Sequence, residues 1–302
     1  MLWQFIASTL HGTTPILLTA LGGLLAFRCG IFHLGLDGFV CMAAFTALAV
    51  TKATGSVVLG LVAAMASGMV LSAAFWFVVD VMHANVIIAG LGFSGVGVAG
   101  SSYLLQVIYH TQGAVSATRG LLHPISGHPT GVLSALNGLS ILTWCSPLVV
   151  WLVWLVVRRS PIGLRLTVVG DYPFAARSAG LSIPRTRFLA LLAGGALCGL
   201  AGSELSMGNL DSFTPNLSNG IGYIAFIAVV FGAVAPVGVA LASLSFGLAG
   251  AIGIEAQLQK WSVPVEIVMM LPYAFTLIAV TVAARVGRQR NSGLGAFAEL
   301  RL

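Results

Sequence analysis

Residues 57–79 run VVLGLVAAMASGMVLSAAFWFVV, twenty-three consecutive positions without a charge. A helix needs about 20 mostly apolar residues to cross the hydrocarbon core of a bilayer. This stretch is therefore long enough to span by itself. The same ruler, moved along the chain, finds eight more candidate crossings: 8–27, 31–50, 86–109, 142–157, 187–207, 222–235, 237–258 and 264–284. The stretch 222–235 is short, and 31–50 opens on a glycine-rich polar run, so either is a candidate broken or re-entrant helix. Eight to ten crossings are the expected range. Long continuous runs favour helices over barrel strands, which would alternate over about ten residues. The expected fold is all-α: a polytopic membrane protein of about nine helices forming one transmembrane domain over residues 1–302.

Composition agrees. Hydrophobic residues make up 58% of the chain and charged residues 7%, and the mean hydropathy is +1.01. A soluble domain carries about 25% charged residues. These numbers exclude a disordered chain, a nucleic-acid binder and a soluble enzyme. The formal net charge of +6 has a different origin. Six arginines lie between Arg158 and Arg187 with the single acid Asp171, and the tail 285–302 holds four arginines with the single acid Glu299. Positive residues collect on the cytoplasmic side, so both segments are expected there. The stretch 110–141, with only Arg119 as a fixed positive charge, is then external, and the N-terminus falls outside as well. Met1–Ala7 lacks the positive region of a cleavable signal peptide.

Two loops exceed what a connection needs. The external stretch 110–141 is rich in glycine and proline and is placed to lie over a vestibule. The stretch 158–187 is the most charged part of the chain and is either a docking surface or a solvated, orientation-setting loop. Within the spans, Gly195, Gly199 and Ser203 recur every fourth residue, a spacing that lets helices approach closely in lipid. The cysteines Cys29, Cys41, Cys145 and Cys198 form no CxxC pair and are expected to be small buried apolar residues.

No phosphate-binding GxxxxGK[ST] loop, HExxH or GxSxG motif occurs. His123 and His128 make a poor metal site without carboxylate or cysteine partners. Neither metal nor cofactor is expected. Polar groups at membrane depth are the positive signal, because they are costly in lipid and usually face a cavity or a partner. Residues 28–38 combine Arg28, three glycines, His33 and Asp37. They form either part of a substrate path or an interhelical turn at the cytoplasmic side. Asn85 opens one crossing, and Glu204, near the outer end of another, faces either the path or the interface. Residues 215–220 have the composition of an external turn, with Asn216, Ser218 or Asn219 able to cap a short helix.

These residues also carry a family likeness from about Thr14 to Leu277. Four stretches bear it: Thr14-Pro15 to Gly23 with Gly30 to Gly38; Ala84-Asn85 with Gly90-Leu91; Gly170 to Gly180; and Val263-Pro264 to Tyr273. The chain resembles permease subunits of bacterial ATP-binding cassette (ABC) importers for nucleosides and simple sugars, within the superfamily of branched-chain amino acid and ribose permeases. His33 and Asp37 stand where relatives carry Asn and Glu. The most specific match is Gly170-Asp171-Tyr172-Pro173-Phe174-Ala175-Ala176-Arg177-Ser178-Ala179-Gly180, similar to the Gly-Glu-Asn-Pro-x-Ala-Ala-x-x-Ala-Gly coupling segment of such permeases. The resemblance implies a short cytoplasmic helix docked on an ATPase subunit, with Gly170, Asp171, Pro173, Ala175, Ala176, Arg177, Ala179 and Gly180 as coupling residues. Small Ala175, Ala176 and Ala179 would seat in the groove, Asp171 would cap the helix start or complement its dipole, and Gly180 would end it.

It further implies two cytoplasmic ATPase subunits, a second homologous permease chain, expected to differ from this one, and an extracytoplasmic binding protein. The chain itself would be no enzyme, would sit in the bacterial cell membrane with its C-terminus cytoplasmic, and would carry a small polar solute. Nucleosides come first and simple sugars second, with branched-chain amino acids a more distant option. His33, Asp37, Asn85 and Glu204 are the expected path residues. The rival reading from another class is an ion- or proton-coupled secondary transporter.

Overall fold

The computed structural model describes residues 2–117, 120–121, 138–258 and 270. The crossing expected at 264–284 apart from Met270, the tail 285–302 and the histidines His123 and His128 lie outside the described residues, as does most of the external loop. The described chain is overwhelmingly helical. In order come α1 (Leu2–Arg28), α2 (Leu36–Thr54), α3 (Val57–Trp76, continued by a π-helical turn Phe77–Val81) and α4 (Val86–Tyr109). A two-residue strand β1 (Val115–Ser116) follows, then α5 (Ile141–Arg159), α6 (Pro161–Asp171) and α7 (Pro173–Ser178). The rest is α8 (Ile183–Ser203, continued by a π turn Glu204–Asn209), β2 (Ser212–Phe213), α9 (Ile221–Phe231) and α10 (Pro236–Leu258).

Seven of the described helices are long and apolar enough to cross a membrane, and α9 is a shorter apolar helix. Together with the stretch 264–284 this is compatible with about nine crossings. The helices form two layers. The most apolar windows of α1, α2 and α8 are 78%, 67% and 61% buried, whereas those of α3, α4 and α5 are 28% or less. The first three are thus the core, and the second three turn most of their surface outward. Outward-facing Val62, Val70, Leu148 and Leu152 are apolar. Lipid requires this, since a helix in hydrocarbon needs no polar face.

Glycine sets the closest contact. At the α3–α8 crossing Gly68 lies against Gly195, and Gly199 lies against Ala64 and Met65. A Cβ on Gly195 would overlap both the Gly68 carbonyl and Ser72 Oγ, so the spacing noted in the sequence serves helix packing. We expect Gly195→Leu to lower the thermal midpoint of the purified chain markedly, because overpacking costs about 1–3 kcal/mol even where neighbours yield. Val62→Leu, on the exposed face of α3, is expected to leave it unchanged; the check is thermal unfolding in detergent.

Two irregular pieces shape the centre. After α1 the chain turns at Gly30 (φ +80°), and residues 31–35 run back inward without helical structure. Leu36 then packs on Gly23, five residues before Arg28, or about 7 Å at 1.5 Å per residue. The second crossing therefore begins below the surface, at Leu36 rather than residue 31.

The second piece corrects an expectation. Residues 215–220 are not an external turn. β2 pairs antiparallel with β1, and the Phe213 ring lies 5.5 Å from that of Phe45. From there the chain descends along α2 until Ser218 meets Asp37. Phe45 and Asp37 are eight residues apart on α2, about 12 Å. α9 completes the crossing, and the Val234 carbonyl just beyond it accepts hydrogen bonds from Arg28 Nε (3.0 Å) and Nη2 (2.6 Å). One crossing is thus half loop and half helix. Nor does a side chain from 216–219 cap α9: its N-cap is Gly220, and the cap arrives from another helix.

Candidate functional site

That cap is Asp37. It stands in the first turn of α2, and its Oδ1 accepts the backbone N–H of Gly222 (3.0 Å) while its Oδ2 accepts the hydroxyl of Ser218 (3.0 Å). The N-termini of α2 and α9 therefore converge on one carboxylate, where both helix dipoles favour negative charge. Gly222 is required for the approach, because a Cβ there would overlap the Asp37 backbone nitrogen. Beside it, His33 Nδ1 accepts the Gly35 N–H (3.2 Å), so the proton sits on Nε2. The imidazole stacks on Phe75 (centroids 4.3 Å, interplanar 5°) and meets Phe39 edge-on at 4.7 Å. Asp37 and His33 are both buried, and His33 Nε2 has no hydrogen-bond partner among the described residues.

The outer face of the junction is polar. Asn216 and Asn219 hold left-handed backbone (φ 57° and 41°) and are exposed, as is Tyr223, whose hydroxyl is 3.0 Å from Ser94 Oγ of α4. Next to them the exposed face of α4 carries Gly92, Gly95 and Ala99. Irregular backbone and amide side chains at this depth are tolerated in a membrane only against protein or a water-filled cavity. The expectations from sequence missed Asn216, Asn219 and Tyr223, because a turn composition is the same at the surface and at the midplane.

The other expected path residues sit elsewhere. Glu204 is fully buried at the start of the π turn, accepting the Ser140 hydroxyl at 2.6 Å and the Thr143 hydroxyl at 3.0 Å. It ties α8 to the start of α5. Asn85 is exposed and caps α4, its Oδ1 accepting the N–H groups of Ile87 (2.9 Å) and Ile88 (3.3 Å). Among the described residues no three His, Cys, Asp or Glu side chains cluster as a metal site would require.

The charged segment 158–187 is two short helices. Ser160 caps α6, with Pro161 in the first turn. Pro173 opens α7, and Gly180 (φ +75°) closes it, its N–H donating to the Arg177 carbonyl while Leu181 N–H donates to that of Ala176. Asp171 does not cap α7; it ends α6, and the N-cap is Tyr172 without a side-chain bond. Nor do all three alanines face outward. Ala176 is buried against the chain itself, while Tyr172 (66% exposed) and Phe174 (84% exposed) project with Ala175 and Ala179.

This segment touches the unwound piece directly. Gly170 packs on the Arg28 carbonyl and Gly30. Arg187 donates from Nε to the Cys29 carbonyl (3.3 Å) and forms an ion pair with Asp80 (2.8 Å) at the end of α3. Contiguous contacts thus run from α6 and α8 through residues 28–35 to Asp37, and on to residues 218–222.

The sequence also has counterparts among known proteins. Residues 5–280 match the family model described as "Branched-chain amino acid transport system / permease component". The chain belongs to this permease family. Among its relatives, the guanosine ABC transporter permease protein NupQ of Bacillus subtilis is 28% identical over 91% of this chain and 90% of its own length. The putative glucose ABC transporter permease protein TsgC13 of Haloferax volcanii is 30% identical over 83% of this chain and 77% of its own. The nucleoside ABC transporter permease protein NupC of Lactococcus lactis is 27% identical over 91% and 90%. No solved structure matches the chain. Like these relatives, it is a multi-pass membrane permease subunit and not itself an ATPase.

Proposed function

We propose that this permease forms one half of the translocation path of an ABC importer for a small polar solute, nucleosides before simple sugars. The observation that carries the reading is the crossing at 211–234. Asn216, Asn219 and Tyr223 present amide and hydroxyl groups at membrane depth, away from the chain's own core. Amides and hydroxyls suit the hydrogen-bonding edges of a nucleoside or sugar, and the smooth α4 face beside them leaves room for it. A second, homologous permease chain would close the path from the other side, and an extracytoplasmic binding protein would deliver the solute. Two of the relatives are named for guanosine and nucleosides and one for glucose, which supports that order of substrates.

α7 is proposed as the helix that docks on a cytoplasmic ATPase. It lies in the segment with the greatest excess of arginine, which supports a cytoplasmic position for it and for the C-terminus. His33, Asp37 and Glu204 are buried, so their part is to hold the path's walls rather than to meet solute, whereas Asn85 sets the start of α4.

The test is purification of the tagged chain from its host in mild detergent, with uptake measured in the same strain. An ATPase and a second permease are expected to follow in stoichiometric amounts, and uptake is expected to require ATP. Recovery of the chain alone, with uptake driven by a proton gradient, would overturn the reading in favour of secondary transport.

A further inference from the structure

A groove between α1, α5, α6 and α8 is lined by none of the residues given a role above. Leu25 of α1 forms its floor, Val156 of α5 with Ile162 and Leu166 of α6 one wall, and Thr186, Leu189, Ala190 and Ala193 of α8 the other. It encloses about 370 Å³. From Thr186 to Ala193 it runs seven residues along α8, about 10 Å into the membrane. Its wall is apolar. Leu189 and Ile162 are 65% and 56% exposed, and the adjacent α5 face continues with exposed Leu152 and Leu155, so the groove opens to hydrocarbon and not to water.

Its mouth is cationic. Arg165 lines it, Arg185 precedes Thr186 on the opposite wall, and Arg158 and Arg159 end α5. Among the described residues the single ion pair is Arg187 with Asp80, so none of these four arginines has a carboxylate partner. Asp171, the acid on α6, lies six residues beyond Arg165 at the far end of that helix.

An apolar slot under guanidinium groups without carboxylate partners among the described residues matches one kind of molecule. We propose that this groove binds an anionic phospholipid of the leaflet at the basic end, with one acyl chain along α8 and the phosphate at Arg165. Zwitterionic lipid would fill the slot and offer the same phosphate, but its cationic head would be repelled by the neighbouring arginines. Basic pockets between transmembrane helices select anionic headgroups on this ground. The proposal is independent of which solute is carried and of which ATPase docks.

The test uses the full chain, delipidated in detergent and then exposed to phosphatidylglycerol or phosphatidylcholine of the same acyl length, with bound lipid counted by native mass spectrometry. Phosphatidylglycerol is expected to be retained about tenfold better. Arg165→Gln is expected to abolish that preference while both lipids still bind weakly. Ala193→Phe, on the exposed face of α8, is expected to block retention with the arginines intact. Glycerol phosphate in excess is not expected to compete, which separates a lipid site from a free-anion site. Equal retention of the two lipids, or retention unchanged by both variants, would overturn the proposal; so would full competition by glycerol phosphate.

Discussion

Replacing Phe174 with alanine is expected to reduce recovery of the ATPase with the permease by about thirtyfold, and to reduce uptake with it, at unchanged membrane abundance. Phe174 is 84% exposed on a six-residue helix bounded by Pro173 and Gly180. Asp171 and Arg177 flank it, so that end of the molecule meets water rather than lipid. A free-standing aromatic ring in water has no role in the chain's own stability. Burial of such a side chain is worth about 1.5–3 kcal/mol, and interface anchors typically contribute 2 kcal/mol or more. Each 1.4 kcal/mol is a factor of ten in affinity, which gives the thirtyfold figure. Ala176, which the family likeness offers equally as a coupling residue, is a worse probe. It is buried against its own chain, and a bulky residue there would unseat α7 and lower stability together with transport. Co-purification and uptake are the paired measurements. Normal ATPase recovery with Phe174→Ala would remove the ring as the anchor of the contact.

How much was legible beforehand follows from what each signal measures. Residues 57–79 and 86–109 declared their crossings to within a few positions, because apolar length is what a bilayer selects. The helix at 173–178 was legible through Pro173 and Gly180, which act locally. Its exposed face was not, since which side of a short helix is buried depends on α6 and α8 packing behind it. The same limit applied to 215–220. Proline, asparagine and glycine report a turn wherever the turn lies, and only contact with α2 fixes its depth. Asp37 was singled out because a carboxylate at membrane depth is costly; that its partners were Ser218 and Gly222, more than 180 residues away in the chain, had no local signature. Glu204 raised the same alarm for the same reason, and its partners Ser140 and Thr143, more than 60 residues away, had no local signature either.

Asp37 also supports the sharpest separation of roles. One of its oxygens accepts the Gly222 backbone N–H and the other the Ser218 hydroxyl. Asparagine can keep the Gly222 bond through its carbonyl, and its amide can donate to Ser218 if the hydroxyl rotates to accept. Alanine can do neither, leaving a buried N–H and a buried hydroxyl unsatisfied at about 1–3 kcal/mol each. If Asp37 holds the two halves of the junction together, Asp37→Ala abolishes uptake and lowers the thermal midpoint of the purified chain, while Asp37→Asn retains the midpoint within a few degrees and keeps measurable uptake. If its charge instead meets the solute, the pattern inverts: Asp37→Asn keeps its stability but loses uptake through a raised KM. The burial of the carboxylate and the engagement of both oxygens by the chain's own groups favour the first outcome. Residues 28–35, which connect Asp37 to Gly170 and Arg187, would then bring movement of the 158–187 segment to the 211–220 wall through this one carboxylate. Ser218→Ala supplies the internal check, since it removes one of the two bonds and is expected to fall between Asp37→Asn and Asp37→Ala in both readouts.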